Sequence, residues 1–298
     1  MKAFYSMTAL QNGARRIPMG LIVAAAIFLQ HNAMANPAMV NLGSDSSFAV
    51  LAGSLISDAG AMSTITTGNV GLSPTTGAAI GLTAGQVESG TIYAVDAAGP
   101  AGSVDDPGLL TTAKADLNTA FGDASGRSGT AIAGSDNQLG GQTLIAGVYS
   151  ITAASTANLI GTLTLDGQGN PNAVFIIQCS STLVTASDSL VKLIGDAQAC
   201  HVFWVVDSNA TLGTGTEFVG NILAWDNIWL DTGATVDGRL LAYTDQVTLE
   251  DNTITEAVCN ASSNVPDTGS TLLLLGFGLA TLLAFKRDQS FAAFHSVK

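Results

Sequence analysis

Short runs of alternating apolar and polar residues recur with a fixed period along residues 201–255. Gly220-Asn-Ile-Leu-Ala-Trp-Asp-Asn-Ile-Trp-Leu-Asp-Thr-Gly-Ala-Thr-Val-Asp is followed by Gly238-Arg-Leu-Leu-Ala-Tyr-Thr-Asp-Gln-Val-Thr-Leu-Glu-Asp-Asn-Thr-Ile-Thr, so Gly220 returns as Gly238 eighteen residues later. A period of this length, divided into three short strands, is typical of a repeat fold in which each coil stacks on the next. The pattern predicts a mainly β fold, a three-sided β-solenoid (β-helix).

One side of each predicted coil is apolar on both faces. Successive side chains of a strand point to opposite faces, and here Ile222 and Leu240 point one way while Leu223 and Leu241 point the other. A strand that is apolar on both faces must be covered from outside. This side is therefore predicted to lie against another part of the protein.

The other two sides alternate between apolar and mostly polar positions, which indicates that they face water. On the second side Leu212, Leu230 and Leu249 are predicted to point inward, and the outward positions are Thr211, Trp229 and Thr248. On the third side Phe218, Val236 and Ile254 point inward, and the outward positions are Glu217, Thr235 and Thr253.

Residues 105–122 break the β pattern and predict one long α-helix. The segment begins with Asp105-Asp-Pro, has an Ala-rich interior and ends at Gly122, which are helix start and stop signals. Its apolar residues fall at helical spacing, and they are Leu110, Ala113, Leu117, Ala120 and Phe121. We predict that this helix packs along the doubly apolar side of the solenoid.

Both ends of the chain carry targeting features. Residues 1–35 contain Arg15-Arg16, an apolar run and Ala33-Met34-Ala35, which is the order of a secretory signal peptide. The alternative, a membrane span, needs about 20 apolar residues, and the run is shorter. We therefore expect residues 36–260 to form the exported solenoid domain.

Residues 261–298 resemble a tripartite surface-sorting signal. A short linker precedes Val265-Pro-Asp-Thr-Gly269, an apolar run and the basic pair Lys286-Arg287. Tails of this kind are cut by exosortase- or sortase-type transpeptidases, which would make such an enzyme a partner. The alternative is a permanent C-terminal membrane anchor. In either case the C-terminal segment associates with the membrane, transiently or permanently.

Charge and composition restrict the possible partners. The net charge is −13, and 47% of the residues are hydrophobic but only 6% are aromatic. Between positions 36 and 265 the basic residues are Lys114, Arg127, Lys192 and Arg239, against 21 acidic ones. Such a surface cannot neutralise phosphates, so a nucleic-acid partner is excluded.

No group of residues in the sequence suggests catalysis or a metal site. Of the three cysteines, Cys179 and Cys200 are about one coil apart, whereas a Cys200–Cys259 bridge would tie the last segment to the body. Their spacing with His201 does not fit a zinc site. The acidic residues lie at predicted turns and strand edges. We expect no enzyme activity, no metal and no cofactor.

Threonine is the residue that recurs at outward positions. Aligning the coils places Thr182, Thr211, Trp229 and Thr248 in one outward file, and Thr185, Thr214 and Thr232 in a second file at the corner. Neighbouring strands lie about 4.8 Å apart, so each file would be a regular ladder of hydroxyl and methyl groups. Such a ladder could hold water in an ordered array. The alternative is that threonine simply favours strands.

Several motifs between positions 42 and 259 together resemble the microbial ice-binding-like (antifreeze) proteins, whose β-solenoid is discontinuous. The motifs are Phe48-Ala-Val-Leu-Ala-Gly, Gly68-Asn-Val-Gly-Leu-Ser-Pro, Gly90-Thr-Ile-Tyr-Ala-Val-Asp-Ala-Ala, Leu163-Thr-Leu-Asp-Gly-Gln-Gly-Asn-Pro-Asn-Ala-Val-Phe-Ile, Ala197-Gln-Ala-Cys-His-Val-Phe-Trp, Ala210-Thr-Leu-Gly-Thr-Gly-Thr and Gly220-Asn-Ile-Leu-Ala. The resemblance implies a right-handed solenoid of triangular section with one α-helix alongside. It also favours Cys200–Cys259 as the disulfide, which leaves Cys179 free.

The resemblance further implies adsorption to ice through one flat face that carries Thr-(Ala/Gly)-x-(Thr/Asn). Thr232-Gly-Ala-Thr235 fits this motif, whereas Thr185-Ala-Ser-Asp188 and Thr214-Gly-Thr-Glu217 depart from it at the last position. We expect a monomer that binds the surface of ice crystals and inhibits ice growth and recrystallisation. The predicted ice-binding residues are Thr182, Thr185, Thr211, Thr214, Trp229, Thr232, Thr235 and Thr248. The alternative is a cell-surface adhesin that binds glycan or neighbouring cells through the same solenoid.

Overall fold

A computed structural model describes residues 36–60, 62–132, 137–151 and 156–260. The predicted signal peptide, 1–35, and the predicted sorting tail, 261–298, lie outside the described residues. Within the four described ranges, no helix is both long enough and apolar enough to cross a membrane. The body of the protein ends at Ala257.

The described chain is mainly β, with parallel strand pairing throughout and one α-helix in the described part. The strands are β1 (Phe48–Ala52), β2 (Ile56–Asp58), β3 (Thr64–Thr67), β4 (Asn69–Leu72), β5 (Ile92–Ala94), β6 (Val104–Asp105), β7 (Thr130–Ala131), β8 (Thr143–Ile145), β9 (Gly147–Ile151), β10 (Ala157–Leu159), β11 (Thr162–Asp166), β12 (Phe175–Cys179), β13 (Leu183–Thr185), β14 (Leu190–Ile194), β15 (Val202–Val206), β16 (Ala210–Leu212), β17 (Glu217–Ala224), β18 (Ile228–Leu230), β19 (Thr235–Ala242), β20 (Val247–Leu249) and β21 (Thr253–Thr255).

The strands form two hydrogen-bonded sheets, of fifteen and six strands. In the larger sheet we distinguish the main row, called the helix-side stack, from the strands off that row, called the third stack. The helix-side stack has the order β6-β5-β4-β1-β19-β17-β15-β12-β9-β7, and the six-stranded sheet has the order β10-β13-β16-β18-β20-β2. The third stack contains β8, β11, β14, β21, β3 and the first halves of β17 and β19. One apolar core lies beneath the stacks and includes Trp204, Phe218 and Leu240. The mainly β class with parallel sheets is thus confirmed.

The order of the strands in space differs from their order in the chain. The first strands stack on the last ones, because β1 pairs with β19, β2 with β20 and β3 with β21. The later strands, β9 to β19 on the helix side, then follow one another in sequence order. The N-terminal coils therefore extend a solenoid that the C-terminal half builds.

The helix α1 (Pro107–Ser125) covers the helix-side stack, as the apolar pattern predicts. Asp106 caps it by accepting a hydrogen bond from the Leu109 amide at 2.9 Å. Its buried residues are Leu110, Ala113, Leu117, Ala120, Phe121 and Ala124, and they pack against Val174, Ile176, Phe203, Val205, Leu223 and Leu241. Burial of two apolar surfaces that water would otherwise cover holds the helix in place.

The predicted C-terminal end of the helix, Gly122, is wrong by one turn. A Cβ at Gly122 would meet no atom within 4 Å, so this glycine lies in an open, unconstrained position inside the helix. Ala124 is fully buried and extends the apolar contact. Packing of this last turn outweighs the helix-breaking tendency of one glycine, which costs about 1 kcal/mol.

The glycine repeat that marks the coils has a direct steric cause. Gly220 pairs with Gly238 in the register of β17 and β19. Gly220 has a φ of +113°, a conformation that favours glycine, and a Cβ on Gly238 would lie 1.9 Å from the Gly220 carbonyl oxygen. Close approach of the two backbones at this corner therefore requires glycine in both coils.

A buried polar seam lies where the first residues of the body meet the helix and the last coils. Arg239 is buried and donates hydrogen bonds to Asn221 Oδ1, to the Ser46 and Ala257 carbonyls and to Glu256 Oε1, the last at 2.7 Å. Burial lowers the pKa of Arg239, and the Glu256 carboxylate opposes this shift. The seam ties three distant segments of the chain together.

Candidate functional site

The outer surface of the six-stranded sheet carries one central file of side chains in strict register. Thr211 lies beside Trp229, and Trp229 lies beside Thr248. The neighbours of these residues in the adjacent strands complete the file, which in spatial order is Asn158, Val184, Thr211, Trp229, Thr248 and Ser57. The predicted placement of Thr211, Trp229 and Thr248 in one outward file is therefore confirmed.

The predicted placement of Thr182 in that file is wrong. Leu183 pairs with Ala210, which puts Val184, and not Thr182, beside Thr211. Aligning the Thr-Leu pairs at 182–183 and 211–212 gives a register that is two residues away from the one in the structure. A two-residue shift leaves every side chain on the same face, so the alternating pattern gives no sign of the error.

Thr182 belongs instead to a second, flanking file at the edge of the same sheet. Its hydroxyl donates a hydrogen bond to Thr156 Oγ1 at 2.8 Å. In the coils that follow, the same position is occupied by Asn209, Asn227 and Gln246, and Asn227 Nδ2 donates to Asn209 Oδ1 at 2.9 Å. The flanking file is therefore also a ladder of hydrogen-bonding groups, and all of its members are half-buried.

The predicted outward position of Thr185 is wrong as well. Thr185 pairs with Leu212, an inward residue, and only 3% of it is exposed. Its hydroxyl lies 2.7 Å from Thr216 Oγ1 and accepts a hydrogen bond from the Gly213 amide at 2.9 Å. These two partners satisfy a buried hydroxyl, so Thr185 fixes the turn between coils and cannot contact a ligand.

The other predicted threonines lie beyond the sheet. Thr214 and Thr232 are both exposed at the turns that follow β16 and β18, where the Gly215 amide donates to the Thr232 carbonyl at 3.0 Å. Thr235 is exposed on the third stack, between Glu217 and Thr253, as predicted. The predicted site residues thus divide between the six-stranded sheet, its corner, the third stack and the interior.

Neither file of the six-stranded sheet contains an ionisable side chain. The residues that sequence reasoning missed are Thr156, Asn158, Val184, Asn209, Asn227, Gln246 and Ser57. The eighteen-residue spacing of Asn209 and Asn227 is a sequence signal for this pair, but it lies outside the threonine pattern. The two files therefore form a rigid, uncharged array of hydroxyl, amide and methyl groups, and the central file extends over six strands.

The cysteines are placed as the resemblance implies. Cys200 and Cys259 are disulfide-bonded, and Cys179 is free and buried. Burial raises the pKa of the Cys179 thiol to about 12, which leaves it unreactive. The two bridged sulfurs and a ring nitrogen of His201 lie within 4.8 Å of one another. Sulfurs joined in a disulfide are no longer thiolates and cannot serve as thiolate ligands.

Comparison with known proteins gives this array a context. The model of the ice-binding-like family matches residues 50–255. The chain belongs to this family. An ice-binding protein of Nostoc sp. (strain HG1) is 40% identical over 274 residues, which cover 90% of this chain and 94% of the relative.

Solved structures agree with this assignment to the ice-binding-like family. An ice-binding protein from an Antarctic biological consortium is 37% identical, with a TM-score of 0.65 over 75% of this chain and 93% of that one. A domain of ice-binding protein 1 of Shewanella frigidimarina is 32% identical, with a TM-score of 0.67 over 75% of this chain and 99% of that one. The family resemblance predicted from the motifs is confirmed.

A second family model, the VPDSG-CTERM motif, matches residues 264–288. This match confirms the C-terminal sorting signal predicted from Val265-Pro-Asp-Thr-Gly269 and the apolar and basic residues after it. The protein is exported, to the cell envelope or beyond it.

Proposed function

We propose that this protein binds ice through the outer surface of the six-stranded sheet and thereby inhibits ice growth and recrystallisation. The observation that carries the proposal is the register of the two uncharged files, one centred on Thr211, Trp229 and Thr248 and the other containing Thr182, Asn209 and Asn227. Family membership and the ice-binding relatives support the choice of ligand.

The physical argument is one of matching repeats. Parallel strands hold successive side chains about 4.8 Å apart across the sheet, and residues i and i+2 about 7 Å apart along each strand. Because the sheet is fully hydrogen-bonded, its side chains keep these spacings without further ordering on binding, and little conformational entropy is lost. Water held against such an array can adopt a fixed lattice and join that of a crystal.

We infer a finer architecture in support of this function: a right-handed, three-sided solenoid with α1 along one side. Three stacks of parallel strands and the eighteen-residue pairing of Gly220 with Gly238 support it. A coil closed on three sides is stiff, and a stiff support keeps the binding surface flat. We further propose a monomer without catalytic activity, metal or cofactor.

The proposed domain division is a signal peptide at 1–35, the solenoid at 36–260 and a sorting region at 261–298. A transpeptidase that recognises the VPDSG-CTERM motif would be the processing partner. In this arrangement the ice-binding body is held at the envelope, and the tail associates with the membrane before or after cleavage.

Substitution of Thr211 and, separately, Thr232 by Tyr tests the proposed surface. Each bulky ring would project from its part of the array and keep the surface away from ice. We expect T211Y to remove the ice shaping that depends on the six-stranded sheet and to weaken recrystallisation inhibition, and T232Y, at the corner, to have a smaller effect. Thr119→Tyr, on the exposed side of α1, is the matched control. Full activity in both T211Y and T232Y would move the site elsewhere.

A second candidate function is adhesion to glycan or to neighbouring cells. The half-exposed Trp229 and the envelope sorting signal favour it, since aromatic side chains stack on sugars and an adhesin must stay attached. Recrystallisation assays separate the two, because an adhesin leaves ice growth unchanged.

A further inference from the structure

The third stack carries a compact block of threonines that is separate from the six-stranded sheet. Thr235, Thr253 and Thr64 lie side by side in the register of β19, β21 and β3. Next to them, Thr255 and Thr66 form a second pair, with their hydroxyl oxygens 2.7 Å apart. The five side chains occupy three neighbouring strands, and we call them the threonine block.

The threonine block faces outward. Thr235 and Thr253 are exposed, and Thr64, Thr66 and Thr255 are half-buried. The residues between them, Val236, Ile254 and Ile65, are buried in the core. The alternation places the five side chains on the outer side of the stack. The ladder is regular from Thr235 through Thr253 to Thr64. After Ile254 the register shifts, so that Thr255 pairs with Thr67, and the Thr66 hydroxyl also donates to the Ile254 carbonyl at 3.3 Å.

Charged residues border the block but do not interrupt its main file. Glu217 precedes Thr235 in that file, and Asp237 precedes Thr255 in the second one. Asp237 is exposed, so the second file has a carboxylate at its edge. The threonines at the far end of the third stack, such as Thr162, are separated from the block by Leu190 and Glu217.

We propose that the threonine block is a second ice-contact surface, which binds ice planes of a different orientation from those bound by the six-stranded sheet. This inference rests on the proposed function. The block carries threonine at five outward positions, whereas the central file of the sheet carries only Thr211 and Thr248, on either side of Trp229. With Thr156 and Thr182 of the flanking file, the sheet has four such threonines over six strands, whereas the block has five over three. The block is therefore the denser of the two in threonine.

The path of the chain explains why the two surfaces would select different planes. After β18 the chain turns through residues 231–234, with Gly233 at a φ of +74°, before it enters β19 in the other sheet. Two sheets on either side of a turn cannot lie flat on one crystal plane together. Thr232 lies in this turn and Thr235 begins β19, so the Thr232-Gly-Ala-Thr235 motif runs from the corner into the block.

The test images adsorption of the full chain, fused to a fluorescent protein, to a hemisphere of single-crystal ice. The parent should mark two families of ice planes. Thr253→Tyr places a ring at the centre of the block and should remove one family, whereas Thr211→Tyr should remove the other. Thr162→Tyr, an exposed threonine of the same stack outside the block, is the matched control and should leave both families marked.

The outcomes separate the two proposals. If T253Y gives the same pattern as the parent while T211Y loses adsorption, the second surface does not exist and the proposed function stands. If T211Y gives the same pattern as the parent while T253Y loses all adsorption, the block is an ice surface and the six-stranded sheet is not. No adsorption by the parent overturns both proposals. Thr235→Tyr, at an exposed edge position, replaces T253Y if the latter does not fold.

Discussion

Asp45 is a buried carboxyl whose replacement should change how the stability of the protein depends on pH. It lies in the 3₁₀ turn Gly43–Ser47, is fully buried, and neither of its carboxyl oxygens has a hydrogen-bond partner among the described residues. Burial, reinforced by the negative charge of Asp116, raises its pKa to about 8, although the charges of Lys114 and Arg239 oppose the shift. The perturbation we consider is Asp45→Asn, which keeps the shape and removes the titration.

The sign of the effect follows from proton binding. Between about pH 4 and pH 8 the folded protein retains a proton on Asp45 that the unfolded chain has lost. The stabilisation is therefore complete below the unfolded pKa and is lost as the pH rises towards 8. The slope is at most about 1.4 kcal/mol per pH unit, so the loss between pH 4.5 and 7.5 is at most about 4 kcal/mol.

Urea unfolding of the parent and of D45N at pH 4.5, 6 and 7.5 measures this loss. We expect the free energy of unfolding of D45N minus that of the parent to rise by several kcal/mol between pH 4.5 and pH 7.5. Burial lowers the pKa of Lys114 to about 8, so this amine begins to lose its proton only at the top of the range, and it does so in both proteins. Asp105→Asn, at an exposed carboxyl, is the control. Parallel profiles for D45N and the parent would refute the reasoning.

Three further substitutions test the fold and the proposed surface. Leu117→Ala removes a fully buried side chain between α1 and the sheet and should lower the free energy of unfolding by about 2–5 kcal/mol in urea titrations, unlike exposed Thr119→Ala. Gly238→Ala places a methyl group against the Gly220 carbonyl and should lower the melting temperature more than the same change at the open Gly122. Trp229→Thr makes the central file continuous from Thr211 to Thr248 and should increase thermal hysteresis; a decrease would show that the indole itself contacts ice.

The parts of the fold that repeat with fixed spacing could be predicted from the sequence. Gly220 and Gly238 mark coils of equal length, and the register of β17 and β19 follows from them directly. The position of α1 was predictable for a different reason: Leu223 and Leu241 point away from the core and need a cover. In the first case close approach of the backbones fixes the register, and in the second the burial of apolar side chains fixes the position of the helix.

Register in the earlier coils could not be predicted in the same way. Between β13 and β16 the chain contains a seven-residue connection, 195–201, where β17 and β19 run on without a break, and no glycine pair fixes the alignment. A local Thr-Leu match therefore misplaces Thr182 and Thr185. It puts Thr185 opposite Thr214, in the turn after β16, whereas Thr185 pairs with the inward Leu212 inside the strand. The burial of Asp45 could not be predicted from the sequence either, because the residues around it come from segments far away in the chain.

Because the first strands pair with the last ones, the solenoid cannot finish folding until the last strands have been synthesised and exported. The Ser54 hydroxyl donates to Asp245 Oδ1 at 2.6 Å, across 191 positions of the chain. During synthesis and export the N-terminal coils thus emerge long before the edge that they dock on, and contacts of such long range slow folding. Until β19 and β20 have been exported, β1 and β2 lack their partners and have unpaired edges that could pair with other molecules. Deleting the last two coils would remove the strands β19, β20 and β21, with which β1, β2 and β3 pair.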